Sequence, residues 1–160
     1  MKYASFGVKA NALYYVCVKS GGVYSSATKT YFNVVKYEST AVRGSFGKSA
    51  AKASKMKRNT DRYGYLLAKG SPKYYKFTKT GKSVKIYFKG VTDKQLKFTV
   101  TAKAKGYRNY SRTISLFRSD NGDDEAKVLT LSTKKNRAIH VTIRAKGEGN
   151  SSGAYVVRYH

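Results

Sequence analysis

Two histidines, one cysteine and eight carboxylates are the whole stock from which this 160-residue chain could build a catalytic or metal centre. A serine or cysteine nucleophile needs a base within hydrogen-bond reach. Cys17 lies in the apolar run Leu13-Tyr14-Tyr15-Val16-Cys17-Val18 and reads as a buried, inert thiol. His140 points outward by strand alternation, His160 is the last residue, and no Gly-x-Ser-x-Gly elbow occurs. Cys17, His140 and His160 are too widely separated to suggest the clustered ligands of a metal site. Four carboxylates fall in Asp120-Asn121-Gly122-Asp123-Asp124-Glu125. A helix-loop-helix calcium site needs its Gly at the sixth position and a Glu at the twelfth. Here Gly122 comes third, and the loop reads as a solvated hairpin tip around Asn121-Gly122. A glycosidase carboxylate pair would draw on Glu38, Asp61, Asp93, Glu148 or that loop, mostly turn or linker positions. Gly147-Glu148-Gly149-Asn150 lacks the Lys-Ser/Thr of a nucleotide loop. The expectation is a non-enzyme with no cofactor and no metal.

What the chain has in abundance is cation and tyrosine. It carries 33 Lys+Arg against 8 Asp+Glu, for a net charge of +25, with 15 Tyr, 7 Phe and no Trp. Such a surface attracts polyanions: nucleic acid, teichoic acid, anionic glycans or acidic headgroups. Tyrosine rings stack on sugar faces, peptide or bases. The expected binding residues are Tyr74, Lys76, Lys85, Tyr87, Lys89, Tyr107, Arg108 and Tyr110. The competing reading is that outward Lys merely marks solvated faces and blunts edge strands. A second basic run, Lys48, Lys52, Lys55, Lys57 and Arg58, reads mainly as a solvated connection.

These residues sit on segments with a period of two. Tyr75 and Phe77 share one face; so do Val84, Ile86 and Phe88; Leu96, Phe98, Val100 and Ala102; and Ile139, Val141 and Ile143. That is the signature of half-buried strands. Turn signals separate them, among them Lys69-Gly70-Ser71-Pro72, Thr80-Gly81-Lys82, Lys105-Gly106 and Gly147 to Gly153. The predicted fold is an all-β antiparallel sandwich, jelly-roll-like, with at most one short helix near residues 48–57, where Ala and Lys favour about two helical turns.

An internal echo sets the expected domain organisation. Ala12 to Lys19, Gly21-Gly22 and Val34-Val35-Lys36-Tyr37 match Ala138 to Arg144, Gly147 and Val156-Val157-Arg158-Tyr159 in order, polarity and turn placement. Residues 1–37 then read as the closing hairpin of a preceding similar domain, or an added N-terminal hairpin, and residues 38–160 as one complete sandwich domain. No run of about 18 apolar residues occurs, and Met1-Lys2-Tyr3 is not followed by the apolar stretch of a signal peptide. If the parent is secreted, the chain is an internal or C-terminal piece of it.

Several motifs over residues 38–160 carry a family resemblance. Ser49, Ala53 and Met56 keep a Ser, three residues, Ala, two residues, apolar spacing. Tyr63-Gly64-Tyr65-Leu66, Lys73-Tyr74-Tyr75-Lys76-Phe77, Gly81-Lys82-Ser83-Val84-Lys85-Ile86 and Gly153-Ala154-Tyr155-Val156-Val157 follow in order. The arrangement resembles the bacterial pre-peptidase C-terminal domain, a β-sandwich of secreted proteases and surface proteins to whose broad group clostridial collagen-binding domains belong. The resemblance implies an appended binding module. Two departures remove the family's acidic calcium motif: Val42-Arg43-Gly44-Ser45-Phe46 replaces the opening Glu-Pro-Asn-Asn, and Lys73 stands where an acidic residue is usual.

The expected function is therefore a non-catalytic adhesion module of an extracellular or cell-surface protein. It would hold its parent to anionic cell-wall polymer, glycan or host matrix, beside flanking domains. Two alternatives stand beside it: a nucleic-acid-binding β-barrel, and a ligand-free spacer in a tandem array.

Overall fold

The computed structural model describes residues 44–79, 81–90, 96–116, 127–132, 137–146 and 152–160. The expected hairpin in residues 1–37, Cys17 and the acidic loop at 120–125 lie outside the described residues.

The alternating segments become strands with their apolar members inward. In chain order they are β1 (Ser54–Lys55), β2 (Arg62–Leu66), β3 (Lys73–Lys79), β4 (Ser83–Gly90), β5 (Leu96–Ala104), β6 (Tyr110–Leu116), β7 (Lys127–Ser132), β8 (Arg137–Ala145) and β9 (Gly153–Tyr159). They form two sheets, one of five strands in the order β1-β3-β8-β5-β6 and one of four in the order β2-β9-β4-β7. All pairings are antiparallel except β1 with β3. Only β5 and β6 pair as sequence neighbours; every other step between consecutive strands from β2 onward changes sheet. This is the predicted antiparallel sandwich, and it contains no helix among the described residues. None there is long and apolar enough to cross a membrane.

The core lies between the two inner faces. Tyr75, Phe77, Phe98, Val100, Ile139, Val141 and Ile143 from the larger sheet meet Leu66, Ile86, Phe88, Leu129, Tyr155 and Val157 from the smaller. Phe77 stacks on Tyr159 at 4.1 Å between ring centroids, and Phe98 lies 5.6 Å from Phe88 and 5.7 Å from Tyr155. The buried Tyr75 and Tyr155 hydroxyls are 2.9 Å apart, one hydrogen bond joining the two sheets through the core. Lys79 ends β3 under cover, its Nζ donating to the Lys82 carbonyl, and burial lowers its pKa.

The helical turns expected over Ser49–Met56 do not form. Lys48 to Lys52 bends and turns, and Ser54–Lys55 runs as β1 beside β3. Gly47 and Tyr74 exchange backbone hydrogen bonds of 2.9 and 3.2 Å, and Met56 N donates to Lys76 O at 2.8 Å. An eight-residue helix is marginal alone, whereas here the edge of β3 offers partners and Ala53 and Met56 bury their side chains. The stretch is part of the sandwich, not a free connection. Met56→Ala is therefore expected to cost about 2–5 kcal/mol, while exposed Lys52→Ala stays within about 0.5 kcal/mol. Urea midpoints check this, and equal, negligible shifts would contradict the packing.

Candidate functional site: two basic sheet faces

The expected binding residues fall in four places. Lys85, Tyr87 and Lys89 project from β4 onto the outer face of the four-stranded sheet. Tyr74 and Lys76 project from β3 onto the outer face of the five-stranded sheet, on the opposite side of the sandwich. Tyr107 and Arg108 lie in the β5–β6 turn, closed by Tyr107 N to Ala104 O at 3.1 Å. There Gly106, at φ 80°, takes a left-handed conformation. Tyr110 begins β6 and packs against the core. The eight residues do not converge on one site.

On the four-stranded face the pairing adds residues that the sequence reading did not single out. Arg158 on β9 lies opposite Tyr87, and Val156 lies opposite Lys89 and, across β2, Tyr63. The Arg158 guanidinium stands 5.6 Å from the Tyr87 ring centre, and its Nε is 3.8 Å from Asp61 Oδ1. This pair is half-exposed on both sides, so it holds Arg158 in place weakly. Below Arg158, Asn59 Oδ1 meets His160 Nδ1 at 2.7 Å, and Asn59 N donates to the Tyr159 carbonyl at 2.9 Å. His160 also exchanges backbone hydrogen bonds with Lys85. A shallow depression lined by Asn59, Tyr87, Arg158 and His160 adjoins another lined by Asp61, Tyr87, Lys89, Val156 and Arg158. Tyr63 stands beside it, 51% exposed. Alternation within β9 could have placed Arg158 outward, but only the β4–β9 register shows that it meets Tyr87.

Lys73 has a structural partner set of its own. Its ammonium lies 4.2 Å from the Phe46 ring centre and 4.8 Å from that of Tyr65, and the two rings meet edge to face. Burial, and then the nearby Lys48, lower its pKa. The position at which the family resemblance expects an acid thus holds a cation stacked on aromatic rings.

Among the described residues Asp61 is the one carboxylate, and no group of three His, Cys, Asp or Glu could hold a metal ion. His140 sits on the exposed face of β8, and its register partners Lys76 and Lys103 are both cations.

No family model matches the chain, and no curated protein does. Similar solved structures include the pre-peptidase C-terminal domain of a collagenase from Bacillus anthracis. It shares 13% identity at a TM-score of 0.44, over 66% of this chain and 92% of that one. A structure described as a CBM4 shares 16% identity at 0.40, over 64% and 73%. A family GH115 4-O-methyl-alpha-glucuronidase with specificity for decorated arabinogalactans shares 12% at 0.42, over 75% of this chain and 16% of that one. The first of these solved structures is a domain of the kind the sequence resembles. The roles of individual residues rest on this chain's own geometry.

Proposed function

We propose that this domain is a non-catalytic binding module that holds an anionic polysaccharide on the outer face of the four-stranded sheet. The observation that carries the reading is the gathering of Arg158, Tyr87, Lys85, Lys89 and Tyr63 on one open face around a shallow depression. Open faces suit a polymer, which passes across them, better than a small molecule, which needs enclosure. Exposed Tyr63 offers a stacking surface for a sugar ring, and the cations supply long-range attraction. By the sequence resemblance and the hairpin echo, the module works outside the cell within a longer parent chain.

The test is retention at physiological salt on a sulfated polysaccharide, a neutral polysaccharide, collagen, and single- and double-stranded DNA. Preferential retention on the sulfated polymer is expected. Arg158→Glu is expected to weaken it about tenfold, the equivalent of about 1.4 kcal/mol. Asp61→Asn removes the carboxylate that engages Arg158 and is expected to tighten it a few-fold. Retention on DNA alone would establish the nucleic-acid alternative, and no retention at all would leave the spacer.

A further inference from the structure

The five-stranded sheet carries a line of three lysines and a histidine that the first site does not use. Lys55 pairs with Lys76, Lys76 with His140, and His140 with Lys103, so one side chain from each of β1, β3, β8 and β5 falls in a single row. With neighbouring strands about 4.8 Å apart, the row spans roughly 14 Å. Lys55, His140 and Lys103 are exposed and Lys76 is half-buried. None of the four has a side-chain hydrogen bond or ion pair among the described residues. The Lys55–Lys76 pair sets like charges directly opposite one another, which is destabilising by a few tenths to about 1 kcal/mol. Elsewhere a sheet face commonly answers such a row with a carboxylate. Here the one described carboxylate, Asp61, is on the other sheet's side.

The next row across the same face is Tyr74, Thr142, Thr101 and Ser111, four hydroxyls in register. A lysine-rich row beside a hydroxyl row complements a polymer that presents both anionic groups and hydroxyls. The two rows hold two aromatic rings, half-buried Tyr74 and the exposed His140 imidazole, among eight side chains, so they offer little stacking surface to bases.

We infer that this row is a second anionic-polysaccharide site, and that the domain, with a basic face on each side of the sandwich, bridges two polymer chains. For the class of polymer the inference rests on the reading above; the second face stands on its own register and charge. Two faces pointing in opposite directions cannot both engage one short chain, so the second contact cross-links rather than adds to the first.

The probes are a short heparin oligosaccharide in titration calorimetry and heparin-coated beads in an agglutination assay. Wild type is expected to take up two oligosaccharides and to agglutinate beads. Lys76→Glu with Lys103→Glu, and separately Lys85→Glu with Lys89→Glu, should each reduce the uptake to one and abolish agglutination. The fourfold variant should bind none. Lys→Gln versions of the same pairs, checked by circular dichroism and melting temperature, guard against loss of the fold. If the Lys76/Lys103 variants retain two sites and agglutination, the inference is overturned and the proposed function stands. If only the Lys85/Lys89 variants are silent in this way, the proposed face is wrong and the second one survives. Absence of binding by wild type would overturn both.

Discussion

Gly64→Ala should lower the melting temperature of this domain more than any surface change, by roughly 10–20 °C. Gly64 lies on the inner face of β2, directly opposite Tyr155 on β9. The Tyr155 ring lies across the glycine, so a methyl there would overlap Cζ and Oη and stand 2.8 Å from Cε2. The ring has nowhere to retreat. It is fully buried, tilted against Phe98, and its hydroxyl is bonded to Tyr75. Overpacking of this kind costs about 1–3 kcal/mol, and displacing the hydroxyl from its partner adds a further ~1–3 kcal/mol. Against the 5–15 kcal/mol typical of a domain, a loss of that size converts to the stated shift. The second variant in the test is Gly64→Ala with Tyr155→Leu, which removes the overlapping ring. The two changes should be strongly non-additive, the pair less destabilised than the sum of its singles. A Gly64→Ala melting temperature within a few degrees of wild type would refute the account.

Gly64 also marks where sequence reading succeeds and where it stops. The inward faces of β3, β4, β5 and β8 follow from alternation alone, because Val, Ile, Phe and Tyr recur there at every second residue. Weaker strands are less visible. In β6 only Ile114 and Leu116 are fully buried, and in β7 Val128 points outward between Lys127 and Leu129. The stretch before β2 was compositionally a helix-leaning connection. It becomes part of the sheet because Gly47, Ser54 and Met56 find backbone partners on β3, twenty or more residues along the chain. Composition cannot express such a pairing. The site has the same limit. That Lys85, Tyr87 and Lys89 share a face is readable from period two, as it is for Tyr74 and Lys76. That the two groups lie on opposite sides of the sandwich depends on which sheet each strand joins. The row from Lys55 to Lys103 combines four strands in an order, β1-β3-β8-β5, that no local pattern contains.

The Tyr75–Tyr155 pair should make this domain alkali-sensitive in a way that two oxygen atoms account for. The hydroxyls donate and accept between themselves at 2.9 Å in the core, one from each sheet. Tyr75→Phe or Tyr155→Phe alone leaves the other hydroxyl buried without its partner, at a cost of about 1–3 kcal/mol. The double Phe variant removes both polar groups and should be less destabilised than the sum of the singles, a coupling of about 1–2 kcal/mol. Burial pushes the Tyr75 phenol up to about 12, with the bond to Tyr155 opposing the shift. Burial, then the neighbouring Tyr75, raises Tyr155 well above 10. Above pH 10 the unfolded chain releases these protons while the folded chain keeps them, so the folded state binds more protons and stability falls as pH rises. The contribution is intact below about pH 10 and is lost as pH climbs to about 12. For Tyr75 that loss amounts to roughly 3 kcal/mol. Lysine deprotonation over the same range relieves repulsion in this strongly cationic chain, but it acts equally on wild type and on the double Phe variant. The informative quantity is therefore the difference between their urea midpoints, measured at neutral pH and again near pH 11. Wild type should lose ground to the double Phe variant on going to the higher pH. A constant difference across the range would show that the buried pair does not couple protons to folding.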